Sequence, residues 1–213
     1  MRNLEKGAAP QVLADNAAQW LAAYLADRTN NTNRYRYRHR DIKAALTGET
    51  HFKCAYCESK IGHNTPGDIE HKVPTSVHEE LHFEWMNLTT ACTECNRRKR
   101  DYYAVGAEFI DPYADDVETL IEHHGPIVGW RAGHARAEIS VRMLQFGHPS
   151  RNQLVLRKIE QIDAFYETLE RYTAESDPTH RQLHLIRLRE FCATDAEYSA
   201  MMLTIARQKG VPV

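Results

Sequence analysis

Cys54-Ala-Tyr-Cys57 and Cys92-Thr-Glu-Cys95-Asn96-Arg97-Arg98-Lys99 are the stretches whose reading decides the fold, and 34 residues separate the two cysteine pairs. Two residues between thiolates let a tight turn aim both sulfurs at one ion. Two such turns complete a tetrahedral zinc site with no open position. A closed site of this kind is structural: it ties distant segments together and does no chemistry. Four buried thiols or a redox pair is the plainer alternative, and the matched spacing argues for zinc over it. The gap is longer than in a simple zinc finger, so something must fold between the knuckles. The fifth cysteine, Cys192, stands alone on an amphipathic stretch and reads as a core residue.

The insert contains Gly67-Asp68-Ile69-Glu70-His71-Lys72-Val73-Pro74, a short strand ending at proline. Trp85-Met86-Asn87-Leu88-Thr89-Thr90-Ala91 reads as a second strand, running into a helix that begins at the second knuckle. A loop with His78, Glu79, Glu80 and His82 joins them. An acid beside a histidine offers a hard oxygen ligand next to a neutral base. A divalent metal on Glu70 and on a side-chain oxygen of the facing helix, such as Asn96, would leave positions open for water and a phosphate oxygen. His71 could then take a proton from the attacking water, because imidazole titrates near working pH. Side-chain types and spacing thus allow metal-assisted phosphodiester hydrolysis. Asp68 shares the strand face of Glu70 and reads as structural, or as a support behind the metal ligands. His63, His78 and His82 read as solvated histidines rather than ligands.

Working outward, the helical spacing of Leu13, Ala17, Trp20, Leu21, Tyr24 and Leu25 predicts a helix over 12–28. A short helix over 41–46 is expected to end at Gly48. Downstream, 116–123 and 136–146 read as helices, with a short strand within 126–131. Residues 150–172 form a strong amphipathic helix, Asp177-Pro178 opens another through about Phe191, and Asp195 caps a last one before Gly210. The expected class is α+β: an N-terminal helical segment (1–50), a zinc-stapled core (51–106) and a mainly helical region (107–213) suited to a protein partner.

Composition sets the outer bounds. A chain of 213 residues can build a real core. Its 42% apolar and 26% charged content excludes a disordered chain, a collagen-like repeat and a coiled-coil rod. No run of about 18 apolar residues exists, and Met1 to Pro10 lacks an apolar signal core. No membrane contact and a cytoplasmic location are therefore expected. The net charge of −2 averages unlike parts: 12 Lys/Arg against 10 Asp/Glu over 34–104, and 12 against 16 over 107–213.

The order C-x2-C, acid-His with proline three residues after the His, Asn-Leu, then C-x2-C-Asn-x2-Lys resembles the HNH endonuclease family, with its ββα-metal fold. The resemblance implies that His71 is the general base. It implies that Glu70 and Asn96 hold one catalytic Mg²⁺ or Mn²⁺, and that Asn87 pins the loop and orients the base. The four cysteines correspond to the subset in which Zn²⁺ is structural. Asn96 stands where many members have His, which favours hard metals, and Glu70 where Asp is commoner. The chain length, the opening Met1-Arg2-Asn3-Leu4-Glu5-Lys6-Gly7, the module Cys54 to Glu58 and the helical second half resemble the PtuB-like HNH proteins of Septu and retron-associated antiphage systems. That likeness implies a DNA nuclease effector regulated by a PtuA-type ATPase partner. A stand-alone restriction-type nuclease and a non-catalytic zinc-stapled module binding nucleic acid or protein are the alternatives.

Two arginine groups flank the motif. Arg34, Arg36, Arg38 and Arg40 alternate with Tyr35, Tyr37 and His39, and on an extended strand they would line one face as a phosphate-tracking strip. A solvated edge strand or a helix start fits the pattern as well. Arg97, Arg98, Lys99 and Arg100 follow the metal-site helix and are expected against DNA backbone, a role compatible with cations closing a helix C-terminus.

Overall fold

β1 (Asp68–His71) and β2 (Leu88–Ala91) pair antiparallel, with Asp68 opposite Ala91 and His71 opposite Leu88. α4 (Thr93–Lys99) follows directly. The computed structural model describes residues 1–62 and 67–213; His63 lies outside the described residues. α4 starts where Cys92 leaves the strand, and the Cys92 sulfur accepts from the Cys95 amide at 3.4 Å, so the second knuckle is also the helix cap. It stops at Arg100, whose backbone turns to φ +49°. The first knuckle is held against this unit by Ala55 N–H donating to the Thr90 carbonyl at 3.0 Å.

Ahead of this unit lie α1 (Gln11–Ala26), α2 (Asn31–Arg34), a 3-10 turn (Arg36–Arg38) and α3 (Arg40–Glu49). Their apolar residues meet Phe83, Trp85 and Leu88 in one cluster containing Leu13, Tyr24, Tyr37, Ile42 and Leu46. After it come α5 (Val117–Leu120), the hairpin β3 (Ile121–His124) and β4 (Ile127–Trp130), then α6 (Ala135–Leu144), α7 (Asn152–Ala174), α8 (Pro178–Cys192) and α9 (Ser199–Gln208). These elements form a second cluster together with Cys54, Tyr56, Cys57, Ala91 and Cys95. The mixed helix and strand architecture is α+β, and the 107–213 region shares its core with the zinc knuckles.

Four local expectations are corrected. The strip 34–40 is not an extended strand. The His39 ring accepts from the Asp41 amide to start α3, and Tyr37 turns into the N-terminal cluster. Helix α3 runs through Gly48 because Glu49 is anchored beyond it, by Lys6 at 3.0 Å and the Gly7 amide at 2.8 Å. Residues 121–124 form a strand rather than the end of a helix: Ile121 and His123 face inward, Glu122 and His124 outward, and Gly125 at φ +59° makes the return. Asp195 does not cap the last helix. The buried Glu58 of the first knuckle does, accepting from Ser199 Oγ at 3.1 Å and from the Ala200 amide at 3.3 Å. A carboxylate at a helix N-terminus is favoured by the helix dipole.

Candidate active site

The four sulfurs of Cys54, Cys57, Cys92 and Cys95 lie within 4.8 Å of one another, and none of the cysteines is in a disulfide. A zinc–sulfur bond of about 2.3 Å in a tetrahedron separates sulfurs by roughly 3.8 Å, and Cys57 and Cys92 are 3.8 Å apart. Donor type, number and spacing fit a four-thiolate zinc site. Four thiolates and one Zn²⁺ leave two negative charges in a buried place, which calls for nearby cations. Arg151 Nη1 donates to Cys95 Sγ at 3.3 Å. Burial lowers the Arg151 pKa, but the Cys95 and Cys57 thiolates outweigh it and hold the group above its ordinary value. Lys158 is buried nearby, and burial brings its pKa down to about 8 against the pull of Cys57. Neither cation was foreseen from sequence, since only tertiary packing brings α7 and the turn that leads into it to the knuckles.

A cleft of about 180 Å³ is lined by Asp68, Glu70, His71, Asn96, Arg38, Arg100 and Asp101, among others. The strand sorts these groups. Asp68 and Glu70 share one face of β1 and meet α4, where Asn96 and Lys99, three apart, point the same way. Asn96 Nδ2 donates to Asp68 Oδ2 at 3.3 Å. Ile69 and His71 take the other face and meet the N-terminal cluster.

Glu70 is 4% exposed, and Lys99 Nζ stands 2.6 Å from its Oε1. The two form a buried ion pair in which the Lys99 ammonium neutralises Oε1. Burial outweighs Lys99 and raises the carboxyl pKa to about 6. A carboxylate beside an asparagine and a second carboxylate supplies oxygen donors of the kind a hard divalent cation takes. Glu70 and Asn96, to which the resemblance gives that cation, both line this cleft, with Asp68 bonded to the amide.

The His71 ring is buried, and its Nε2 lies 2.9 Å from the His82 carbonyl, so that nitrogen carries the proton. Nδ1 is then the basic nitrogen. Burial lowers the ring's pKa to about 4, and it is neutral at physiological pH. Asn87 spans the loop between the strands: its Oδ1 accepts from the Val73 amide at 2.7 Å, and its Nδ2 donates to the carbonyls of Val73 and Leu81. His78 is solvated and pairs with Glu80. His82 is not solvated; it is 3% exposed and stacks on His71 with ring centres 5.0 Å apart. Its burial follows from Tyr24 and Tyr37, which come from the N-terminal segment.

The arginine groups separate. Lys99, 1% exposed, donates to the His71 carbonyl and pairs with Glu70; its burial removes it from any DNA-facing set. Arg98 is occupied by Glu94, Gln145 and Ser150. Arg97 also bonds Glu94. Arg36 lies over the Trp20 ring. Arg34 and Arg40 are exposed. Arg38 and Arg100 are exposed and line the cleft.

A two-stranded antiparallel unit followed by a helix, with a cleft holding acid, histidine and asparagine and a four-cysteine cluster, is consistent with a zinc-bound ββα core. Residues 54–101 match the family model described as HNH endonuclease. Over 75 residues the chain is 31% identical to the Septu protein PtuB of Bacillus thuringiensis, covering 35% of this chain and 29% of that protein. The chain thus spans less than a third of the length of the curated relative it matches. Among the described residues, no helix is long and apolar enough to cross a membrane.

Proposed function

We propose that this chain is a divalent-metal-dependent endonuclease that hydrolyses DNA phosphodiester bonds in the cytoplasm, as the nuclease effector of a Septu-type antiphage system. The observation that carries the reading is the setting of His71. Its Nε2–H is held by the His82 carbonyl, its neutral Nδ1 is free to accept a proton, and Glu70 and Asn96 line the same cleft. In this mechanism His71 Nδ1 takes a proton from water as the water oxygen bonds phosphorus, and the bond to the 3′ oxygen breaks. A divalent cation held by Glu70 and Asn96 would supply electrostatic stabilisation of the charge that develops on phosphate. Asn87 keeps the loop after His71 in place. Arg38 and Arg100, at the cleft, are the cations best placed for phosphate oxygens. The excess of acid over 107–213 suits a protein surface more than DNA, and we assign that region to a PtuA-type ATPase partner.

The test is cleavage of supercoiled plasmid with Mg²⁺ or Mn²⁺, by the chain alone and with a PtuA-type ATPase plus nucleotide. Wild type should cut, and His71→Ala should lose about 100-fold or more. Wild type as inert as His71→Ala in every condition would leave only a zinc-stapled binding module. Full activity without the ATPase would favour the stand-alone nuclease.

A further inference from the structure

We infer that Tyr24 and the side chain of His82 are positioning residues for His71, through which the N-terminal segment sets the alignment of the base; this rests on the reading of His71 as that base. One hydrogen bond fixes one ring nitrogen but leaves the imidazole free to tilt about it. The structure removes that freedom with a column of rings. The His82 ring lies parallel to His71, 11° between planes and 5.0 Å between centres. Tyr24 covers the other face of His82 at 4.2 Å and 13°. Tyr37 closes the side, edge-on to His71 at 4.7 Å and to His82 at 5.2 Å.

His82 supplies two things at once: the carbonyl that accepts from His71 Nε2 and the flat face against which the His71 ring rests. Whatever fixes the His82 ring therefore fixes the acceptor as well. Besides the edges of Tyr37 and the neighbouring Phe83, two contacts from the N-terminal segment do so. His82 Nε2 donates to the Arg34 carbonyl at 2.7 Å, and Tyr24, from α1, stacks on the ring. His82 Nδ1 is buried without a partner. A phenyl ring would fill the same space without that penalty, so the Nε2–H tether to Arg34 is what distinguishes histidine here. Arg38 follows Tyr37 directly and lines the cleft, so the turn that reaches for phosphate also carries an edge of the column.

The experiment uses the full chain with histidines labelled with ¹⁵N. Three variants are compared: His82→Phe, which keeps the ring face and loses the tether; His82→Ala, which loses both; and Tyr24→Leu, which keeps apolar volume and loses the stacking face. In wild type, His71 should show a single Nε2–H tautomer. In His82→Ala and Tyr24→Leu, the ring should report a mixture of tautomers. On plasmid, kcat should fall by about 10- to 100-fold while KM stays within about twofold, with zinc content unchanged. His82→Phe should fall between wild type and His82→Ala. Folded variants with the wild-type tautomer and undiminished kcat would overturn the inference. Should Tyr24→Leu fail to fold, the two His82 variants decide alone. The tautomer readout is independent of cleavage, so a wild type as inert as His71→Ala would overturn the nuclease reading, and a fully active His71→Ala the reading of His71 as base, while the tautomers of the variants still decide what the column does.

Discussion

Lys99→Met removes the ammonium that lies 2.6 Å from Glu70 Oε1 and donates to the His71 carbonyl at 2.9 Å. Both partners are buried, Lys99 at 1% and Glu70 at 4% exposure, so water and salt screen the pair little. Two routes are open to the orphaned carboxyl. It can stay ionised without a counter-charge, at about 3–5 kcal/mol. Or it can bind a proton. Burial already holds its pKa at about 6 with Lys99 beside it, and losing Lys99 drives it higher. At pH 7.5 the proton route costs about 1.4 kcal/mol for each pKa unit still to be covered, and the lost bond to the His71 carbonyl adds about 1 kcal/mol. The cheaper route prevails, so we expect a loss of about 2–4 kcal/mol at pH 7.5. The sign with pH follows from the raised pKa. Below the unfolded glutamate value of about 4.3 the carboxyl is protonated in both states, and the ion pair contributes nothing there. Its contribution grows as pH rises through about 6, so Lys99→Met should cost much less at pH 5 than at pH 7.5. Urea unfolding of zinc-loaded protein at both pH values measures this, with Glu70→Gln and the double variant completing a cycle. The double variant should recover most of the loss. An equal cost at both pH values, or a double variant no more stable than Lys99→Met, would refute the reasoning.

The zinc site predicts about one Zn per chain from its four ligands, and Cys54→Ser or a strong chelator should unfold the core; metal analysis with far-UV circular dichroism checks both. Arg151→Leu should speed zinc release to a chelator about tenfold or more, because it takes away the guanidinium on Cys95; the exposed Arg157, which bonds Glu160 instead, supplies the control Arg157→Leu. Hydrogen bonds from Arg97, and then from Arg98, hold the Glu94 pKa at about 2. This folded value lies below the unfolded one, so the stabilisation is present above about pH 4.3 and disappears as pH falls towards 2. The pair is substantially solvent-exposed, so Glu94→Gln should cost no more than about 1 kcal/mol at pH 7. The difference in Tm from wild type should vanish near the acid limit.

What could be read from sequence was what is local. The knuckles, β1, β2 and α4 follow from spacing within a few residues, and His71, Glu70, Asn87 and Asn96 meet around one cleft and loop because the ββα order brings them there. The errors share a cause. Alternation of Arg and Tyr over 34–40 signals a strand only if the chain is extended, and the His39 cap and the pull of Tyr37 into the core decide otherwise. Lys99 looked like one more surface cation because nothing in its neighbours shows that Glu70 lies across from it. Glu58 capping α9, and Arg151 reaching Cys95, join residues 141 and 56 positions apart; no periodicity encodes such contacts.

The four residues of β1 join two separate cores, and this divides control of the site. The face bearing Asp68 and Glu70 is set by α4, which begins at the second zinc knuckle and packs with the C-terminal cluster. The face bearing Ile69 and His71 is set by the N-terminal helices through Tyr37 and His82. The groups assigned to the cation thus answer to the zinc, and the group assigned to the proton answers to the N-terminal segment. Neither core alone completes the cleft, because Asn96 and Arg100 arrive with α4 while Tyr37 and Arg38 arrive with the N-terminal turn. On the proposed function, a protein partner contacting one core would act on one half of the chemistry without passing through the other, so the two cores are two distinct places for control.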